Sequence, residues 1–186
     1  MSSQVRPIKF TLEDYLLFPD DGKRHELIDG EHYMTPAPNP RHQTISSNLH
    51  RIIGGFIHEK HLGRLFSAPT DVVLSEYDVV QPDLFFIATP RLTMIGESRI
   101  EGAPDLAVEI LSVTTRKADE MIKRKLYERY GVSEYWIVDP ELQMIKVFRM
   151  TDHGYTRAVE LSLEAQGSLT TPLLPDLSIS LTDIFG

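Results

Sequence analysis

The chain has 186 residues, 41% hydrophobic and 25% charged, with a net charge of −8 from 19 basic and 27 acidic side chains. That length suits one domain burying about two thirds of the surface its unfolded form exposes, and the composition excludes a collagen, a coiled coil and a disordered tail. The absence of cysteine excludes disulfides, thiolate-ligated zinc, iron–sulfur clusters and a thiol nucleophile.

Residues 11–18 (TLEDYLLF) read as a short helix capped by Thr11, with Asp14 three residues on completing a capping box. Asp29-Gly30 stands between two strand-like runs in RHELIDGEHYMT, the pattern of a tight hairpin. The Pro-rich APNPRHQ is a loop, because each residue before a proline is pushed out of the helical region. From Arg41 to His61, Ile45, Leu49, Ile52, Ile53, Phe56 and Ile57 recur with helical period, and Gly63 follows as a stop. RLFSA, DVVLS and DLFFIA read as strands, with 88–104 as a Pro/Gly-punctuated connection. Residues 105–111 (DLAVEIL) are largely apolar on both faces, like a central strand. Residues 114–130 read as a helix stopped by Gly131. EYWIVD, QMIKVFRM and YTRAVEL are three more strands, the first two joined at Pro140-Glu141. The tail TTPLLPDLSISLTDIF is expected as edge structure packed on the core. Helices between strands, with hairpins besides, predict a mixed α/β domain around a central mixed sheet.

Two carboxylates stand out. Asp83 opens a strand directly after a proline. Glu109 sits inside an apolar strand, sharing a face with Ala107 and Leu111 while Leu106, Val108 and Ile110 take the other. A buried carboxylate needs a cation or hydrogen-bond donors, so Glu109 is either a salt-bridged core residue or a functional one. On the next helix Asp119, Lys123 and Tyr127 follow each other at four-residue steps and form one stripe. Ala118, Ile122, Leu126 and Tyr130 make an apolar arc beside it. Lys123 at the edge of the buried face can therefore aim its ammonium at a strand carboxylate; Lys125, near Met121, is a rival. Two carboxylates and a lysine suit a hard cation such as Mg²⁺ that polarises a phosphoryl oxygen, with the lysine offsetting charge on the phosphate.

The charge is uneven: residues 114–130 sum to +3 and residues 150–186 to −4. A local basic face is compatible with touching phosphate at one place or with an ordinary solvated helix. His58 and His61 on the long helix lack a third ligand at fixed spacing and read as a surface pair near the helix end. No P-loop, G-x-G-x-x-G, G-x-S-x-G or H-E-x-x-H occurs.

HELIDGE (25–31), PAPNPRHQ (36–43), QPDL (81–84), VEILS (108–112), KRKLYERYGVSEYWIVDP (123–140) and PLLPDL (172–177), in that order, resemble the Uma-two family. That family is assigned to the PD-(D/E)XK nuclease superfamily. The resemblance spans roughly residues 10–185. It implies a restriction-endonuclease-like α/β core, with a central mixed sheet flanked by helices, an N-terminal β-hairpin and a C-terminal β-meander, over 1–186 as a single domain. It further implies that Asp83, in the Pro82-Asp83 element, and Glu109 are metal ligands for Mg²⁺ or Mn²⁺. The strand position two beyond Glu109 is Leu111, and the resemblance implies that the lysine is supplied by the following helix instead, as Lys123. Glu26 in the hairpin would add a carboxylate, and His42 and Gln43 would open the first core helix beside the cleft.

The function expected from this resemblance is Mg²⁺-dependent hydrolysis of DNA phosphodiester bonds. A non-catalytic binding module that kept the fold, favoured by the missing strand lysine and the net charge, is the alternative. A hydrolase for another phosphoester is a third. A homodimer is expected, with the apolar C-terminal segment as interface. No stretch approaches the roughly 18 apolar residues of a membrane helix, and MSSQVRPIKF lacks the apolar run of a signal peptide, so a cytoplasmic protein without membrane contact is expected.

Overall fold

The computed structural model of the chain describes residues 8–186. Helix α1 (Leu12–Tyr15) starts at a complete capping box: Thr11 Oγ1 accepts from the Asp14 N–H, and the Asp14 carboxylate accepts from the Thr11 N–H. It makes a single turn rather than running on to Phe18. Strands β1 (Arg24–Ile28) and β2 (Glu31–Thr35) form the expected hairpin. Asp29 and Gly30 at its tip have φ of 53° and 75°, the two positive values that a type I′ turn requires. Helix α2 (Pro40–Lys60) is capped by the Asn39 side chain, which accepts from the His42 N–H. Its leading Pro40 costs nothing there, since that N–H would have no helical partner. It ends at His61 in the left-handed conformation.

Six short strands follow: β3 (Gly63–Ser67), β4 (Val72–Ser75), β5 (Asp78–Val80), β6 (Leu84–Ala88), β7 (Ile100–Glu101) and β8 (Leu106–Ile110). β5 and β7 are too short for alternation to show in a sequence, and neither is legible there. The connection after β6 carries a 3₁₀ helix, Thr89–Met94. Helix α3 begins as a π-helical segment, Ala118–Lys123, and continues as α-helix over Arg124–Arg129. Then come β9 (Glu134–Asp139), β10 (Met144–Thr151), β11 (Gly154–Ser162), β12 (Ser168–Thr170), β13 (Ser178–Ser180) and helix α4 (Leu181–Phe185).

The central sheet has the order β11-β10-β9-β8-β6-β3. Only β8 and β9, joined through α3, are parallel; the meander β9-β10-β11 is antiparallel, as expected. The hairpin is no isolated addition. It continues into a second, five-stranded sheet with the order β2-β1-β5-β4-β7. The alternation of β8 divides the core in two. Leu106, Val108 and Ile110 pack with Ile45, Leu49, Ile53 and Ile57 of α2. Ala107 and Leu111 pack with Leu126 and Tyr127 of α3 and with Ile28, Val72 and Val80 of the second sheet. Glu109 therefore points into the layer that α3 and the hairpin share.

The tail packs on the core, as expected. It is not an edge of the central sheet but a separate β12-β13 ribbon with α4. Its Leu169, Ile179, Ile184 and Phe185 are buried in the α2 core, and the Asn48 side chain donates to the Ile184 carbonyl. These side chains are consumed within the chain, so the tail does not offer them as a dimer interface. Among the described residues no helix is long and apolar enough to cross a membrane.

A Cβ at Gly30 would lie 2.6 Å from Lys9 Cβ, at a φ of 75°. Gly30→Ala should therefore lower the unfolding free energy by more than about 1 kcal/mol, read as a reduced urea midpoint with an unchanged slope.

Candidate active site

Asp83 immediately precedes β6. In the β6–β8 register Leu84 faces Val108, so one further step sets Asp83 opposite Glu109. Facing residues of an antiparallel pair project to the same side, and both carboxylates are buried. Asp83 is held from three directions: Arg24 Nη1 donates at 2.6 Å to Oδ1, the Ile110 N–H donates at 2.8 Å to Oδ2, and His42 Nε2 lies 3.0 Å from Oδ2. Arg24 comes from β1 and His42 from the first turn of α2.

Lys123 meets the second carboxylate. Its Nζ lies 3.0 Å from Glu109 Oε1, 2.9 Å from Glu26 Oε1 and 3.7 Å from Asp119 Oδ1. Tyr127 donates its hydroxyl at 2.8 Å to the same Glu109 oxygen, and the Gln81 N–H donates at 2.8 Å to Glu26 Oε1. The π segment explains how Asp119, Lys123 and Tyr127 all reach one place. In a regular α-helix each four-residue step overshoots a full turn by about 40°, so the outer two would diverge by about 80°. The wider i→i+5 turn falls short of a full turn over four residues. The first offset is thereby reversed, and the stripe stays close to one line.

These groups line a cleft of about 220 Å³ walled by residues 36–39 and 112–115. Four carboxylates, Glu26, Asp83, Glu109 and Asp119, share it with two permanent cations, Arg24 and Lys123. The titration behaviour reflects that surplus of negative charge. Burial pushes Glu109 well above the usual carboxylate range; Lys123 opposes the shift, and Asp119, Asp83 and Glu26 reinforce it. Burial likewise raises Asp119 to about 6, against the pull of Lys123. Burial works against charge on Lys123, yet Glu109, Glu26 and Asp119 hold its pKa well above the ordinary lysine value. Asp83 is the exception: despite burial, His42 and Arg24 keep it below the usual range. The carboxylates thus retain protons chiefly because they are buried, with neighbouring acids adding to the effect, whereas Lys123 keeps its proton because of those acids.

Among the described residues, no group of three His, Asp or Glu side chains is gathered as a ready metal cage. Asp83 and Glu109 face Arg24 and Lys123 instead. The acids are nevertheless carboxylate oxygen donors, the chemistry of a hard divalent cation, and they outnumber the permanent cations of the cleft.

The structure brings Glu26, Asp83, Glu109, Lys123 and His42 into one cleft. Lys125 is exposed beside Met121 and Ile122, outside it, and Gln43 is exposed. His58 and His61 lie at the far end of α2 with ring centroids 6.5 Å apart. Sequence reading missed Arg24, whose approach to Asp83 depends on the hairpin docking against β5. It placed Asp119 and Tyr127 on the right stripe without giving them partners, and a buried Tyr four residues after a buried Lys was the available signal.

The chain matches the family model Uma2, described as "Putative restriction endonuclease", over residues 12–182. The chain belongs to that family. It also shares its fold with a crystal structure described as "a putative nuclease belonging to DUF820" from Anabaena variabilis ATCC 29413. The TM-score is 0.79 at 22% identity, covering 96% of this chain and 98% of that one. No curated protein matches it.

The Asp119 shift has a consequence for stability. A folded pKa raised to about 6 means that the native state binds this proton more tightly than the unfolded chain does. Its contribution to stability falls as pH rises through that range. In metal-free buffer, wild type should therefore lose on the order of 1 kcal/mol relative to Asp119→Asn between about pH 5 and about pH 7.5, measured by urea unfolding at both pH values.

Proposed function

We propose that the chain is a divalent-metal-dependent nuclease that hydrolyses phosphodiester bonds in DNA, with Mg²⁺ or Mn²⁺ held by Asp83 and Glu109. The observation that carries this reading is the uncompensated acid: Asp83 directly before β6 and Glu109 within β8, in a cleft whose lysine and arginine do not balance its acids. A buried surplus of that kind is costly unless a cation offsets it. When bound, the ion would polarise a phosphoryl oxygen and lower the pKa of the attacking water.

The remaining roles belong to the chain's own side chains. Lys123, kept protonated by three carboxylates, acts as a fixed positive charge rather than a base and offsets the charge that grows on the phosphate. Glu26 positions Lys123, and Tyr127 orients Glu109 through its hydroxyl. Arg24 and His42 fix the Asp83 carboxylate, so the reacting geometry needs no rearrangement of that group. The second reading, a binding module without turnover, is favoured by one observation: both strand carboxylates already have basic partners.

The test is cleavage of plasmid and linear DNA with Mg²⁺ or Mn²⁺, folding being checked by circular dichroism. EDTA should abolish cleavage. Asp83→Asn and Glu109→Gln should each lose at least ~100-fold, and Lys123→Met ~100–1,000-fold, the loss typical of removing one charge-stabilising donor. Lys125→Ala should stay within about threefold of wild type, as expected of a surface change. Cleavage that survives Glu109→Gln combined with Lys123→Met would overturn the assignment. Metal binding without turnover on any DNA would favour the binding module.

A further inference from the structure

A second concavity, of about 310 Å³, lies between the C-terminal half of α2 and β3, an edge strand of the central sheet. His50, Arg51 and His58 of α2 and Arg64 of β3 line it, over a floor that includes Gly54 and Gly55, and no acidic side chain does. This runs against the chain's net charge of −8. Most other arginines are paired, among them Arg24 on Asp83, Arg91 on Asp105, Arg116 on Asp139 and Arg149 on Glu134. Arg51 and Arg64 are exposed and, among the described residues, face no carboxylate.

The glycine pair points the same way. A glycine inside a helix is less favourable than an alanine there. Packing does not require either one: a Cβ at Gly55 would meet nothing within 4 Å, and one at Gly54 would make an ordinary 3.6 Å contact with Leu65. Their effect is to keep the groove floor low between two guanidinium groups. A guanidinium fork matches phosphate oxygens in pairs.

We propose that this groove binds the phosphodiester backbone of duplex DNA, as a contact separate from the cleft; the inference rests on the nuclease reading above. Arg51 follows His42 by nine residues on α2, about 13 Å along the axis. Arg64 faces Ile87, four residues beyond Asp83, which is also about 13 Å along the strand. A backbone seated there would lie about four base pairs from the scissile phosphate, at 3.4 Å per step.

The experiment measures binding of a labelled ~20-bp duplex by anisotropy in EDTA across salt concentrations. Hydrolysis of bis(p-nitrophenyl) phosphate, too small to span both sites, is followed in parallel with Mn²⁺. Arg51→Ala combined with Arg64→Ala should reduce the slope of log K against log salt by about two and weaken binding ~10-fold or more at about 100 mM salt, with the small diester hydrolysed as by wild type. Gly55→Leu, which raises helix propensity while filling the groove, should weaken duplex binding without lowering thermal stability. Wild-type affinity and slope in both variants would overturn the proposal, as would a wild-type chain that binds no duplex. A change confined to self-association would also overturn it, marking the groove as a seat for the acidic tail of a second copy. Small-diester hydrolysis with an unaltered slope refutes the groove alone. A reduced slope in a chain inactive on the small diester refutes the nuclease reading alone.

Discussion

The Lys123 ammonium, held between Glu109 and Glu26, is the contact on which the site depends. Each of the three side chains is buried, and the Lys123 ammonium could not keep its charge there without the carboxylates beside it. The contact also ties together three parts of the chain that share one apolar layer: the hairpin, the central strand β8 and the helix that follows it. Buried ion pairs seldom repay their desolvation in stability. This one is better understood as a device that fixes the geometry of a cleft.

The rest of the fold serves that geometry. β6 and β8 set Asp83 and Glu109 on the same side because the pair is antiparallel and in register. The long α2 covers the opposite side of the sheet with its apolar stripe while its first turn delivers His42 to Asp83. The tail joins the core that α2 and the sheet share rather than extending the sheet. The π-helical turn in α3 is the local irregularity that lets one helix deliver an acid, a lysine and a tyrosine to the same point; such turns are rare and concentrate at functional sites.

Much of this was legible in the amino-acid order because local rules decided it. Thr11 with Asp14, Asp29-Gly30 and the α2 periodicity each specify their element through capping, turn chemistry or a repeated apolar face. Glu109 was conspicuous because a carboxylate contradicts its strand, and Lys123 because helical spacing put it at the edge of a buried stripe. What escaped was non-local. The second sheet depends on β5 and β7, three and two residues long, which pairing rather than propensity creates. Arg24 looks like an ordinary strand residue until that sheet forms and carries it to Asp83. The tail's apolar content was visible, but not whether it would cover this chain's core or another's. The α2–β3 groove likewise joins residues that are silent in sequence, since a pair of glycines in a helix announces itself only when their missing side chains turn out not to be needed for packing.

The proposed metal site requires the surplus acid of the cleft to take up one divalent ion. Mn²⁺ titration calorimetry near pH 6, repeated in buffers of different ionisation enthalpy, addresses it directly. One site per chain is expected, with binding coupled to proton release as Glu109 and Asp119 give up the protons they retain, and with the site lost in Asp83→Asn combined with Glu109→Gln. Absence of Mn²⁺ binding at millimolar concentration, or binding that the double substitution leaves intact, would contradict it.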